Sequence, residues 1–154
     1  MTTQLYSHDI HLRHITPTGH PERVDRLKVI HDVLGHPEFD DLVRKPSTAV
    51  DESHLELVHP APWLEKIRDS MPNEGIIKFA DDTYVSPKSW ESVKFGVGAS
   101  IAAIDAVFEK DTDNAFVAVR PPGHHAGIDI SMGFCLVNNI AIAARYAQQK
   151  HGIE

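Results

Sequence analysis

The residues of this sequence best suited to chemistry are two adjacent histidines in the segment Arg120-Pro121-Pro122-Gly123-His124-His125-Ala126-Gly127. On a regular strand, neighbouring side chains point to opposite faces, so a shared site requires an irregular backbone. Pro121 and Pro122 lack N–H groups and break ladder pairing, and Gly123 admits positive φ just before His124. In such a loop His124 and His125 can converge and divide labour, one neutral and ready to accept a proton, the other holding charge or orienting its neighbour. A histidine pair alone is more often two surface residues. This pair directly follows the apolar run of residues 115–119. That run reads as a parallel strand buried on both faces, and open α/β sheets place ligand sites beyond the carboxyl ends of such strands.

The stretch Ser131-Met132-Gly133-Phe134-Cys135 follows closely and can form the facing wall of the same pocket. Gly133 lets the backbone approach a ligand. Phe134 offers an apolar face to a narrow aliphatic chain, although an aromatic beside Met, Leu and Val is ordinarily core. Cys135 sits among apolar neighbours, which suits a buried inert thiol better than a nucleophile. His8, His11 and His14 would line up for a metal on a helix, but Thr16, Pro17, Thr18, Gly19 and Pro21 mark a loop, and a zinc site closed by histidines alone is an unusual type. Asp81 and Asp82 before Thr83 read locally as turn residues. A P-loop, a dinucleotide fingerprint and a Gly-x-Ser-x-Gly elbow are missing from the sequence.

The elements that must hold these residues follow from spacing and punctuation. A strand is expected at residues 4–6. Pro21 and Glu22 open a helix with Val24, Leu27, Ile30 and Leu34 at helical spacing, closed by Gly35. Asp51 caps a helix over 52–58, and Pro60 and Pro62 separate it from another through Trp63, Ile67 and Arg68. Residues 76–79 read as a strand running into the Asp81-Asp82-Thr83 turn. Ser86 caps and Pro87 starts a long helix carrying Trp90, Val93, Val97, Ile101, Ile104 and Phe108 and ending near Glu109. A last helix begins at Asn138 or Asn139 and runs to Lys150, with Gly152 as its stop. This alternation predicts an α/β fold with a parallel sheet. The final glycine should feed another strand, for which only Ile153 and Glu154 remain, so the sheet is expected to be unfinished.

Composition bounds the function. A chain of 154 residues, 42% hydrophobic, suits one domain. The 15 Lys+Arg against 22 Asp+Glu leave a net charge of -7 and no electrostatic support for direct nucleic-acid binding. The single cysteine rules out an internal disulfide. No signal-like leader is visible, nor any apolar stretch near ~18 residues, so the chain is read as cytoplasmic with no membrane association. The 11 histidines direct attention to site chemistry.

Gly19-His20-Pro21-Glu22-Arg23 with Arg26-Leu27, then Asp82-Thr83, then Arg120 to Ala126 as above, then Gly133-Phe134-Cys135 with Asn138-Asn139, occur in an order that resembles the histone deacetylase superfamily. The resemblance spans essentially the whole chain and is nearest to the class II-like bacterial branch with its acetoin-utilisation and acetylpolyamine amidohydrolase relatives. It implies an arginase-like, three-layer α/β fold with a parallel sheet, incomplete in this chain, and hydrolysis of acetyl-lysine or related acylated amines with one zinc ion (Zn). On this resemblance His125 is the general base and His124 its electrostatic and orienting partner. Phe134 lines the acyl-lysine tunnel, Gly133 contacts substrate there, and Asp82 is the rim acid that holds the substrate backbone. Relatives often read Asp-x-Asp-Thr, whereas Ala80 stands at the first acid's place. His20 and Glu22 are expected to organise the first loop. The zinc ligands and the oxyanion tyrosine are expected beyond Glu154, and Tyr146, within the last helix, is no substitute. Residues 1–154 are therefore expected to be the N-terminal part of one deacetylase-like domain. Such a part carries the dyad half of the site, is inactive alone, and is completed by a missing C-terminal half or a complementing chain. The alternative is a non-catalytic binding or assembly module.

Overall fold

The computed structural model describes residues 1–154. In chain order its elements are β1 (Thr3–Ser7), α1 (Val24–Leu34), β2 (Val43–Pro46), α2 (Glu52–Leu55), α3 (Ala61–Asp69), β3 (Ile77–Ala80), β4 (Thr83–Val85), α4 (Ser89–Phe108), β5 (Asn114–Val117) and α5 (Asn139–His151), with 3-10 turns at Asp9–Arg13 and Pro37–Phe39. β1 lies between β2 and β5, parallel to both, while β3 and β4 form a separate antiparallel hairpin.

Alternation along β1 decides the layers. Leu5 points to one face and packs with Leu27 of α1 and with Ala118. Tyr6 points to the other and packs with Ala99 and Ala103 of α4. Helices therefore cover both faces of the sheet. Gln4 shares the α4 face, and the buried Tyr6 hydroxyl donates to its Oε1, so that polar pair is satisfied inside the core. The main apolar cluster lies where α4 meets α3 and α5, through Val93, Val97 and Ile101 against Leu64, Ile67, Leu136 and Ile142.

Several expectations are corrected. Residues 115–119 do contribute a strand parallel to β1, but it is not buried on both faces, and Phe116 is 46% exposed. Its register places Phe116 beside Leu5 on the α1 side, and β5 has β1 as its one strand neighbour, so its far edge is open. β2 was not foreseen, because Val-Arg-Lys-Pro shows no apolar alternation; its four residues are all exposed and backbone pairing to β1 holds it. The acidic pair forms the tip of a hairpin, with Thr83 already in β4. α1 begins at Val24, later than Pro21 and Glu22 suggest, because Glu22 is drawn into a buried ion pair outside the helix. α2 stops at Leu55 instead of reaching residue 58. Ser86 does not cap α4. Its Oγ accepts from Ile15 N at 2.9 Å and its N–H donates to Ser89 Oγ at 2.8 Å, and the helix starts at Ser89. At α5 the reading holds: Asn138 Oδ1 accepts from Ala141 N at 3.0 Å and Gly152 ends the helix at φ +67°. No helix is long and apolar enough to cross a membrane.

Candidate active site

The site is built on the exit of β5. The Arg120 guanidinium, 3% exposed, grips the Glu22 carboxylate, 1% exposed, through both Nε and Nη2, the latter 2.7 Å from Oε2. Its Nη1 donates to the carbonyls of His11 and His14, at 3.0 Å each. The Arg120 carbonyl in turn accepts from His11 Nδ1 at 2.8 Å and from Ser92 Oγ. One residue thus ties the strand end, the first loop and α4 together before the chain passes through the cis Arg120–Pro121 peptide into the histidine loop.

Two glycines in this region are there for space. Gly123 does not adopt the positive φ expected of it. Instead, a Cβ there would lie 2.3 Å from Asn139 Cγ, so the first turn of α5 can pack against the loop only because the side chain is missing. At Gly133, where φ is +57°, a Cβ would lie 2.6 Å from Cγ of His125: the His125 ring rests where that methyl would be. The rings of His124 and His125 have centroids 4.2 Å apart at 45°, and both side chains are exposed. His124 N donates to the buried sulfur of Cys135 at 3.4 Å, which gives the cysteine a structural place behind the dyad. Gly133→Ala is expected to displace the His125 ring and force alanine into the left-handed region, costing about 1–3 kcal/mol. Urea unfolding and the His125 ring resonances measure the two effects.

Phe134 lines an open cleft of about 320 Å³ and is half-buried there, so the ordinary expectation of a core aromatic fails. His124, His125 and Gly133 line the same cleft, with Pro21, Glu22 and Arg26 of the first loop. Arg26, whose guanidinium is 3.7 Å from Glu22 Oε1, was not assigned to the site from the sequence, although its i,i+4 spacing to Glu22 was a usable signal. Asp82 reaches the cleft indirectly. Its Oδ2 accepts from Gly133 N at 3.1 Å and its Oδ1 from Thr83 Oγ1 at 3.0 Å, so the hairpin tip is fastened to the wall. His20 stands between these parts, edge-on to Phe134 at 4.8 Å and to Tyr84 at 5.3 Å, with Nδ1 2.8 Å from Glu22 O and Nε2 3.3 Å from Asp82 O. A larger groove of about 400 Å³ lies over Leu5, Ser7 and His31, and there Ser7 Oγ is 2.8 Å from His31 Nε2, but the hydroxyl proton is committed to Ala118 O at 2.8 Å, so Ser7 accepts from the imidazole and His31 is not placed as a base for it.

The histidines at positions 8, 11 and 14 fan out. A 3-10 turn forms at Asp9–Arg13 where a loop was expected, yet His8 Nδ1 accepts from Ile10 N at 3.0 Å, His11 lies under Arg120, and His14 Nδ1 is 2.7 Å from Ser89 Oγ. No three His, Cys, Asp or Glu side chains come together anywhere in the chain, so its own residues do not fit a zinc site. Burial, against the pull of the Arg120 carbonyl, pushes the His11 imidazole down to about 4. Burial and the Arg120 guanidinium push His14 to about 3. Glu22 Oε2 is 3.6 Å from His14 Nε2, but its charge is already matched by Arg120. Both imidazoles are thus neutral in the folded chain and free to protonate near 6.5 once unfolded. The stability they confer is complete above about pH 6.5 and is lost as pH falls from there toward 3, by several kcal/mol in all. Urea midpoints measured down this range should fall, with the portion between 6.5 and 4 reduced in His11→Asn. A midpoint constant over the range would refute the neutral assignment.

Three kinds of likeness converge on this geometry. A family model described as the histone deacetylase domain matches residues 20–154. The histone deacetylase-like amidohydrolase of Pseudomonas aeruginosa is 40% identical over 134 residues, 87% of this chain and 34% of that protein. The polyamine deacetylase HDAC10 of Homo sapiens is 32% identical over 138 residues, 86% of this chain and 21% of that one. The crystal structure of the HDA15 HD domain superposes with a TM-score of 0.89 at 29% identity, covering 96% of this chain and 43% of that chain. The chain therefore spans between about a fifth and less than half of these relatives. Since the matched span holds the first loop, the histidine loop and the Gly133-Phe134 wall in one continuous fold, the chain belongs to the histone deacetylase family.

Proposed function

We propose that this cleft is the general-base half of a zinc-dependent amidohydrolase site that removes acetyl or other acyl groups from lysine or a related amine. The observation that carries the reading is the placement of His125, its ring seated on Gly133 and opening on the cleft beside Phe134. An extended acyl-amine chain lies along Phe134, which brings its carbonyl to the floor of the cleft where the imidazoles stand. His125 takes a proton from the water that attacks this carbonyl. As the C–N bond breaks, the same imidazole returns the proton to the amine nitrogen, and a carboxylic acid and a free amine leave. His124, 4.2 Å away ring to ring, orients its neighbour and answers the charge that develops on it. Asp82 holds the substrate backbone at the rim with the acceptor capacity that Gly133 and Thr83 leave free.

The zinc ligands and the oxyanion tyrosine are assigned to residues outside 1–154, in a C-terminal part of the same domain or in a complementing chain. Proteins named as an amidohydrolase and as a polyamine deacetylase are both among the relatives, which supports acylated lysine and acylated small amines as the two substrate classes. Zinc titration and hydrolysis of an acetyl-lysine peptide and of an acetylated polyamine test the reading. The chain alone is expected to show neither tight zinc nor turnover, and addition of the completing segment is expected to restore both. Full activity of the chain alone with one zinc bound would overturn the division of the site. A completed protein that hydrolyses neither substrate would overturn the reaction.

A further inference from the structure

We infer that His59 is a positioning residue for the dyad, clamping the loop that follows His125 to the start of α5. This rests on the reading of His125 as the general base. His59 lies in the turn between α2 and α3 and is completely buried. Its Nδ1 is 2.7 Å from Ile128 O and its Nε2 is 2.9 Å from Asn138 N. A carbonyl can only accept and a main-chain N–H can only donate, so a single neutral tautomer satisfies both: Nδ1–H donates to Ile128, and Nε2 accepts from Asn138. Burial favours that neutral form and lowers the imidazole below its ordinary value, against the opposing pull of the Ile128 carbonyl.

Asn138 completes the clamp. While its Oδ1 caps α5, its Nδ2 donates to Ala126 O at 2.8 Å. The carbonyls of residues 126 and 128, the first and third after His125, are therefore held by the side chains of Asn138 and His59, and the His59 ring is in turn joined to the Asn138 main-chain N–H. Before the dyad the loop is held by Ile140 N donating to Gly123 O at 3.1 Å and by His124 N on Cys135 Sγ, and after it Ala126 is buried. Gly127 N donates to Ile130 O at 2.9 Å within the loop, and His124, His125, Ile128 and Ile130 are exposed. Gly133 supports the His125 ring from beneath, while the clamp fixes the backbone from which that ring projects. A displaced base is costly: an error of about 1 Å in a reacting group can cost about 100-fold in rate.

Two variants separate the bonds from the bulk. His59→Phe keeps a ring of similar size and makes neither bond, whereas His59→Gln offers an amide NH2 that can donate to Ile128 O and a carbonyl that can accept from Asn138 N. In the unsubstituted chain, nitrogen NMR of the imidazole at neutral pH is expected to show Nδ1 protonated and Nε2 bare. His59→Phe is expected to speed hydrogen exchange at Asn138 N and to shift the His125 ring resonances, and His59→Gln to restore both. In a protein with a complete site, His59→Phe should lower kcat by about 10- to 100-fold with little change in KM, and His59→Gln should recover most of it. The opposite tautomer, or His125 resonances unmoved in a folded Phe variant, would overturn the inference. If His59→Phe does not fold, the tautomer and the protection of Asn138 in His59→Gln decide the matter. Spectra as expected in a completed protein without turnover would leave the clamp standing and remove the general-base reading alone.

Discussion

Glu22→Ala is expected to cost about 3–5 kcal/mol, a large share of the about 5–15 kcal/mol by which a domain is ordinarily stable. The carboxylate is the partner of a guanidinium that is 3% exposed, and removing it leaves that cation buried and unmatched. The two charges cannot escape to water, because His11, His14 and α4 close around them. Arg26 loses the same counter-charge. Glu22→Gln should cost less, since it retains an oxygen for one of the Arg120 N–H groups. Replacing both partners with apolar residues of similar volume, Glu22→Leu with Arg120→Met, should cost less than Glu22→Ala alone, because no charge is then left buried. Urea midpoints of the four proteins form the test. A loss below about 1 kcal/mol in Glu22→Ala would show that the pair is not the anchor of the first loop, as that figure is typical of an exposed pair.

The second large effect is on rate. In a protein with a complete site, His125→Ala is expected to lower turnover by about 10² to 10⁴ with zinc content unchanged, as for loss of a general base. The side chain is exposed and no hydrogen bond holds its ring, so folding should change little, by about 0.5 kcal/mol or less. A thermal melt alongside kcat and KM therefore separates chemistry from stability. KM should stay near its original value, because Phe134 and the rim bind the acyl-amine chain independently of the base. Unchanged turnover would refute the role of His125.

The two variants act on parts of the molecule that differ in how far they could be read beforehand. α4, α5 and α1 were legible from apolar spacing, from Asn138 as a cap and from Gly152 as a stop, because helix rules operate over three or four residues. The histidine loop was legible as irregular, since two prolines and a glycine cannot continue a ladder, and the order of motifs already pointed to the deacetylase family. Tertiary contacts decided the rest. β2 exists because β1 lends it backbone partners, something a Val-Arg-Lys-Pro string does not announce. Glu22 leaves the helix it was expected to open because its partner stands 98 positions away. Gly123 is required by the position of Asn139 and not by its own φ. Asp82 meets Gly133 across 51 positions and His59 meets Asn138 across 79. Local pattern determined which segments could be helices and where the reactive loop falls. Which side chains hold that loop in place depends on burial, since a charge or polar group removed from water takes whatever partner the packed chain brings within reach.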